Sequence, residues 1–149
     1  MIARILVPTD GSPGALEAAA YARDLARAFG AAVTILHVVE IPQVPLSPTA
    51  LAAVPQVRHD LVVAGQAILA MTEETFSQTG VAVHTELREG LVAETIVEVA
   101  AQGGYDLIVI GSRGKGGIGR LLLGSVSEAV ARDAPCPVLI VRKGTTSAG

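Results

Sequence analysis

Short apolar runs alternate along the chain with longer stretches in which small apolar residues recur at helical spacing. The runs predict five strands, at residues 2–7, 32–39, 81–87, 106–110 and 138–141. The helical patterns predict four helices, at residues 13–29, 57–78, 91–101 and 125–132. Strict alternation of strands with alanine-rich helices is typical of a parallel sheet that is covered on both faces.

The alternation therefore predicts the α/β class, with a single doubly wound domain at residues 1–143 and a polar tail at residues 144–149. We expect a five-stranded parallel sheet in the order 3-2-1-4-5 with helices on both faces. In such sheets, ligands bind beyond the carboxyl ends of the strands, where the strand order reverses. The loop with Asp10 and the loop with Gly111 would then face each other across one crevice.

Residues 40–55 are rich in proline and predict a connection over the surface. Ser47 and Pro48 could begin a helical turn, but Pro55 would interrupt it, so the second helix is expected to begin near Val57. The sequence leaves open whether this segment is a lid or an interaction loop.

The composition mainly excludes classes of function and indicates none directly. Half of the residues are hydrophobic, 3% are aromatic, and the formal net charge is −3. Nucleic-acid binders usually carry a basic footprint or aromatic stacking platforms, so nucleic acid is not an expected partner. No membrane span or secretory signal is predicted, and cytoplasmic location is expected. Cys136 is the only cysteine and is interpreted as a buried structural thiol.

The fourth strand leads into a glycine-rich stretch that suits a phosphate, because glycine lets the backbone approach an anion closely. It is not a Walker A loop, since Gly116 follows Lys115 where Ser or Thr is required, and Val109 occupies the earlier glycine position. The spacing of Gly114, Gly116 and Gly119 matches a dinucleotide fingerprint by letter. That match begins several residues past the strand, and the next strand does not end in the required acidic residue.

The start of the last helix offers a site for the phosphate charge. Ser125 and Glu128 have the spacing of a capping box, and a helix N-terminus attracts anions. The hydroxyls of Ser125 and Ser127 would add donors. Gly111 and Gly114 would make room for ribose and phosphates, and Gly124 would clear the approach to the helix. Arg113, Lys115 or Arg120 could neutralise phosphate charge, although each could equally be a solvated cation.

One glycine spacing links these features: Gly111, two residues, Gly114, nine residues, then Gly124 and Ser125. With this spacing the chain resembles the ATP-binding branch of the universal stress protein family. The resemblance extends over the whole chain and includes the segments around Asp10, His37 and Cys136, namely Val7-Pro8-Thr9-Asp10-Gly11-Ser12, Leu36-His37-Val38 and Pro135-Cys136-Pro137-Val138-Leu139.

The resemblance implies that the cofactor is ATP, bound with Mg²⁺ for which Asp10 is the possible metal ligand. It also implies that Asp10 contacts the ribose or the phosphates, that the Val38 backbone meets adenine, and that Ile110 packs near the ribose. A homodimer through the last strand, Val138–Val141, is implied as well. The expected nucleotide-binding residues are Pro8, Thr9, Asp10, Val38, Ile110, Gly111, Arg113, Gly114, Gly124, Ser125, Val126 and Ser127.

The expected function is that of an ATP-binding regulatory or stress-response protein with an unknown protein partner. His37, His59 and His84 lack ligand spacing, and no nucleophile–base pair is apparent in the two crevice loops. We therefore assign no catalytic residue. Two alternatives stay open: a slow ATPase or phosphotransferase that uses Asp10 and a metal ion, and a dimeric interaction module that works without nucleotide.

Overall fold

The computed structural model describes residues 1–42, 47–112 and 123–142. Strands and helices alternate in this part of the chain as the sequence predicts, and a short 3₁₀ turn, Glu74–Phe76, follows the second helix. The elements are β1 (Arg4–Pro8), α1 (Pro13–Phe29), β2 (Ala32–Val39), α2 (Pro48–Glu73), β3 (Val83–Glu89), α3 (Val92–Gly103), β4 (Leu107–Gly111), α4 (Ser125–Asp133) and β5 (Val138–Val141).

The strands form one parallel sheet in the order β3-β2-β1-β4-β5, which confirms the predicted topology. Successive side chains of a strand point to opposite faces. On β1, Ile5 and Val7 pack in one apolar cluster with residues of α1 and α2. Leu6 belongs to the second cluster, with residues of α3 and α4. Helices α1 and α2 therefore cover one face of the sheet, and α3 and α4 cover the other.

Small side chains bring α1 close to the sheet. Ala18, Ala19 and Ala22 are completely buried. The helix begins as predicted: the Ser12 side chain accepts a hydrogen bond from the Ala15 N–H at 3.2 Å. It ends at Gly30, whose φ of 69° is the left-handed conformation expected after a helix. These local signals fix where the polypeptide leaves and re-enters the sheet.

The predicted start of α2 near Val57 is wrong, because the helix begins at Pro48 and continues through Pro55. Ser47 caps the helix by accepting from the Ala50 N–H at 3.0 Å. Pro55 removes the hydrogen bond that an N–H at this position would make to the Leu51 carbonyl. Both residues are exposed, so water can satisfy that carbonyl. None of the helices in the described part of the chain is both long and apolar enough to span a bilayer.

Candidate functional site

A cavity of about 410 Å³ lies at the carboxyl ends of β1 and β4. This is the edge of the sheet at which the strand order reverses, since β1 has β2 on one side and β4 on the other. The loop after β1 lines one wall of the cavity, and the start of α4 lines another. The crevice expected from the topology is therefore present.

The structure brings most of the predicted nucleotide-binding residues together around this cavity. Those that line it are Pro8, Thr9, Asp10, Val38, Ile110, Gly111, Gly124, Ser125, Val126 and Ser127. Arg113 and Gly114 lie outside the described residues, as do Lys115 and Arg120. Their contacts with a nucleotide stay predictions.

The sequence did not indicate some of the lining residues as members of the site. These are Ser12, Ala15, Leu36, His37, Val92 and Ile96. His37 could have been found, because it is close to the carboxyl end of β2 and precedes Val38 on the same edge of the sheet. The sequence gives no such indication for Val92 and Ile96, because apolar residues near the start of α3 could equally belong to the hydrophobic core.

The Asp10 loop satisfies its own backbone donors. The Asp10 Oδ1 atom accepts from the Ser12 N–H at 2.9 Å, and the Thr9 Oγ1 atom accepts from the Gly11 N–H at 3.1 Å. Gly11 has a φ of 76°, which permits this tight turn. The N–H groups of Gly11 and Ser12 are therefore satisfied within the loop, and Asp10 is its charged residue at the cavity.

Thr9 is fixed through its backbone as well. Its N–H donates to the Leu36 carbonyl at 2.8 Å, and its carbonyl oxygen lies 2.8 Å from His37 Nδ1. Because a carbonyl can only accept, the Nδ1 atom of His37 carries the proton in this contact. The end of β1 is thus tied to β2 on the cavity side.

The start of α4 differs from the predicted capping box of Ser125 and Glu128. The helix is capped by Gly124, one residue earlier, and the Glu128 N–H donates to the Gly124 carbonyl at 3.0 Å. Glycine has no side chain with which to cap, so the first-turn N–H groups receive no hydrogen bond from the cap residue. Ser125 is exposed at the first helical position. This helix end can therefore offer donors and a positive dipole to an anion.

Ser127 has a structural partner that the sequence did not predict. It is 3% exposed, and its hydroxyl donates to the Ser112 carbonyl at 2.7 Å, with the Gly124 carbonyl at 3.1 Å. The Gly124 N–H donates to the same Ser112 oxygen at 2.7 Å. Both bonds join the end of β4 to the start of α4. Because the single hydroxyl proton of Ser127 is used in a hydrogen bond to the backbone, Ser125 is the better hydroxyl donor for a ligand.

Gly111 also has a packing role. A Cβ atom at this position would lie 3.0 Å from the carbonyl carbon and oxygen of Gly14 and 3.3 Å from the Ala15 nitrogen. The missing side chain lets the end of β4 touch the first turn of α1. The room predicted for the ligand at Gly111 is thus occupied at least in part by helix backbone.

Asp10 is the one carboxylate among the residues described as lining the cavity. The described residues contain no cluster of three or more His, Cys, Asp or Glu side chains suited to a metal ion. Mg²⁺ in nucleotide sites is often held by one or two carboxylates together with phosphate oxygens. Asp10 fits that arrangement, with the phosphates supplying the other ligands.

Cys136 lies outside the cavity and is half-buried against the second apolar cluster, so the prediction of a buried thiol is only partly met. Burial raises the pKa of the Cys136 thiol, and the charge of Asp106 adds to the effect. A thiol with a raised pKa is a poor nucleophile at neutral pH.

A second cavity, of about 460 Å³, lies beside β2, β3 and α3, near the amino ends of the strands. Its charged groups are already engaged: Arg88 pairs with Glu86, and the Arg4 guanidinium lies 4.5 Å from the centre of the Tyr105 ring. The carboxyl edge is where ligands bind in doubly wound sheets, so the cavity at β1 and β4 is the better candidate.

Comparison with known proteins agrees with this architecture. A universal stress protein of Methanocaldococcus jannaschii is 41% identical over 140 residues, which cover 94% of this chain and 82% of the relative. The solved universal stress protein of Lactobacillus plantarum is 31% identical, with a TM-score of 0.80, and the match covers 94% of this chain and 97% of that chain.

A solved universal stress protein in complex with cAMP is also 31% identical, with a TM-score of 0.72 and coverage of 94% of this chain and 97% of that chain. Residues 1–142 match the model of the universal stress protein family. The extent of these matches confirms the predicted resemblance to the universal stress protein family as a whole. The chain belongs to the universal stress protein family.

Proposed function

We propose that the protein is a cytoplasmic, ATP-binding member of this family whose nucleotide state controls its contact with a protein partner. One observation carries the proposal: the start of α4, whose cap residue has no side chain, and Asp10 line one cavity. The first can hold phosphate oxygens and the second a Mg²⁺ ion between those oxygens and the protein. The relative in complex with cAMP supports an adenine nucleotide as the ligand class.

The cavity lining is polar in one part and apolar in another, which suits a nucleotide with charged phosphates and an apolar base. Ser125 and the α4 N-terminus make one wall polar, whereas Val38, Val92 and Ile110 provide apolar surface in the lining. A base can pack on this apolar surface, with the Val38 backbone within its reach, while the phosphates meet α4. The volume of about 410 Å³ is in the range of small-molecule sites.

Binding without rapid turnover is the favoured activity. The lining contains Asp10 and His37, but the His37 Nδ1 proton is engaged with the Thr9 carbonyl and Asp10 accepts from the Ser12 N–H. No nucleophile–base pair stands among the residues that are described as lining the cavity. A slow ATPase would be recognised by phosphate release that is lost in Asp10→Ala.

A pair of substitutions at Gly124 tests the phosphate position. Asp and Asn are both good helix caps, and the φ of −68° at Gly124 suits any residue, so Gly124→Asp and Gly124→Asn should both fold. Only Asp places a negative charge where the phosphates are expected. We expect at least about tenfold weaker ATP binding by Gly124→Asp than by Gly124→Asn, a difference of about 1.4 kcal/mol.

Isothermal titration with Mg-ATP, with GTP as a comparison, measures this difference, and thermal denaturation checks that both variants fold. Equal ATP affinities of the two variants would show that the phosphates do not bind at the start of α4. A wild-type protein that binds no adenine nucleotide would reject the proposal and favour the nucleotide-independent interaction module.

We further propose that two copies associate through β5. This strand is at the edge of the sheet and pairs only with β4 in the described part of the chain, and Leu139 is 37% exposed on it. An apolar, unpaired edge is prone to pairing with another strand. Light scattering should report a dimer for the wild type and a monomer for Leu139→Glu, which places charge in the contact. A wild-type monomer at micromolar concentration would contradict the dimer.

A further inference from the structure

Helix α2 contacts the Asp10 loop from outside the cavity. Thr72 of α2 is fully buried, and its Oγ1 atom lies 3.0 Å from Thr9 Oγ1. A Cβ atom on Gly11 would lie 3.1 Å from Met71 Cε and 3.2 Å from Ile68 Cγ1. Thr72 is not one of the residues described as lining the cavity. The loop that carries Asp10 therefore packs directly on a helix that does not share the site.

The hydrogen bonds along this contact have a fixed direction. The Thr72 hydroxyl donates to the Ile68 carbonyl at 2.9 Å, which uses its single proton. The Thr9 hydroxyl must therefore donate to Thr72 Oγ1, because Thr72 has no proton left for Thr9. Thr9 Oγ1 in turn accepts from the Gly11 N–H. The relay runs from the Gly11 N–H through both hydroxyls to the Ile68 carbonyl.

This direction changes the role of Thr9, which the sequence assigned to nucleotide binding. Its hydroxyl proton is directed at Thr72, away from any phosphate, and one of its lone pairs is taken by Gly11. Thr9 is 6% exposed. Its side chain thus acts inside the protein, as a link between α2 and the turn that presents Asp10.

A threonine in a helix often donates a hydrogen bond to the carbonyl four residues earlier, and this tendency explains the hydrogen bond from Thr72 to Ile68. It does not explain why Thr72 meets Thr9, which is 63 residues away in the sequence. Two hydroxyls that satisfy each other in a buried contact hold their segments in one arrangement, because breaking the contact would leave polar groups unpaired.

We propose that Thr72 is a positioning residue of the nucleotide site: through Thr9 it holds the Gly11 turn, and with it the Asp10 carboxylate, in the arrangement that receives Mg-ATP. The inference rests on the proposed function. Holding the turn before the ligand arrives removes an ordering cost from binding, so loss of the relay weakens binding without removing any ligand contact.

Three variants distinguish a positioning role of Thr72 in the nucleotide site from a contribution to protein stability alone. Thr72→Val removes the hydroxyl at similar size, and Thr72→Ser restores it. Thr34→Val is the matched control, because Thr34 is also buried and its Oγ1 atom accepts from the Tyr105 hydroxyl at 2.7 Å. Thr34 lies on the other face of the sheet from α2, as its contact with Tyr105 in the second cluster indicates, and it does not line the β1–β4 cavity.

Thermal denaturation and titration with Mg-ATP give the first readout. Thr72→Val and Thr34→Val should both lower the melting temperature, since each loses a buried hydrogen bond. Only Thr72→Val should raise the Kd for ATP, by about threefold to tenfold, and Thr72→Ser should bind like the wild type. Equal Kd values for Thr72→Val and Thr34→Val would overturn the positioning role.

Amide hydrogen exchange of the nucleotide-free protein gives the second readout. The Gly11 N–H should exchange about tenfold faster in Thr72→Val and at the wild-type rate in Thr34→Val, because only the first variant breaks the relay. Unchanged Gly11 exchange in Thr72→Val overturns the inference even if ATP binds. If the wild type binds no adenine nucleotide, the proposed function fails, and Gly11 exchange alone then decides whether Thr72 holds the turn.

Discussion

Gly111→Ala is expected to lower the free energy of unfolding by about 1–3 kcal/mol and to weaken the binding of adenine nucleotide. The added Cβ atom would lie 3.0 Å from the carbonyl carbon and oxygen of Gly14 and 3.3 Å from the Ala15 nitrogen. These are backbone atoms of the first turn of α1, so no side-chain rotation relieves the contact. The end of β4 or the start of α1 must move, and both border the cavity.

Urea denaturation and titration with Mg-ATP measure the two effects of Gly111→Ala. Gly30→Ala serves as the comparison, because nothing lies within 4 Å of a Cβ atom there and the cost comes from a φ of +69°. That variant should lose about 1 kcal/mol of stability with unchanged ATP affinity. If Gly111→Ala proved as stable as the wild type, the contact with α1 would not constrain this position.

The sheet could be predicted from the sequence because its central strands are buried on both faces. Such strands are continuous apolar runs, and the predicted bounds of β2 match the structure. The sequence predicts too late a start for α2, because a proline inside a helical pattern usually interrupts the helix. Pro55 is tolerated since the carbonyl that loses its partner is at an exposed turn. Exposure of a single turn is a tertiary property that local sequence does not encode.

The site was predictable at the level of which loops meet, and less so at the level of what each side chain does. Gly111 and Asp10 located the cavity because they lie at the carboxyl ends of the adjacent strands β4 and β1. Spacing carries no information on hydrogen-bond direction, however. Ser127 turns to the Ser112 carbonyl, and Thr9 turns to Thr72, through contacts that exist only after the chain folds.

Ser125→Ala and Ser127→Ala are expected to have opposite effects on binding and stability. Ser125 is exposed at the first position of α4, where alanine is well tolerated, so its loss should leave the melting temperature unchanged. If its hydroxyl donates to phosphate, ATP affinity should fall about tenfold or more, because hydrogen bonds to charged groups contribute about 1.5–3 kcal/mol.

Ser127→Ala should instead lower the free energy of unfolding by about 1–2 kcal/mol, because the Ser127 hydroxyl is buried and joins the end of β4 to α4. The Ser112 carbonyl keeps its bond from the Gly124 N–H, so the variant should still fold. Thermal denaturation and Mg-ATP titration of both variants decide between the two roles. A Ser127→Ala protein with wild-type stability and strongly weakened ATP binding would return Ser127 to the phosphate site and contradict its role as a link between β4 and α4.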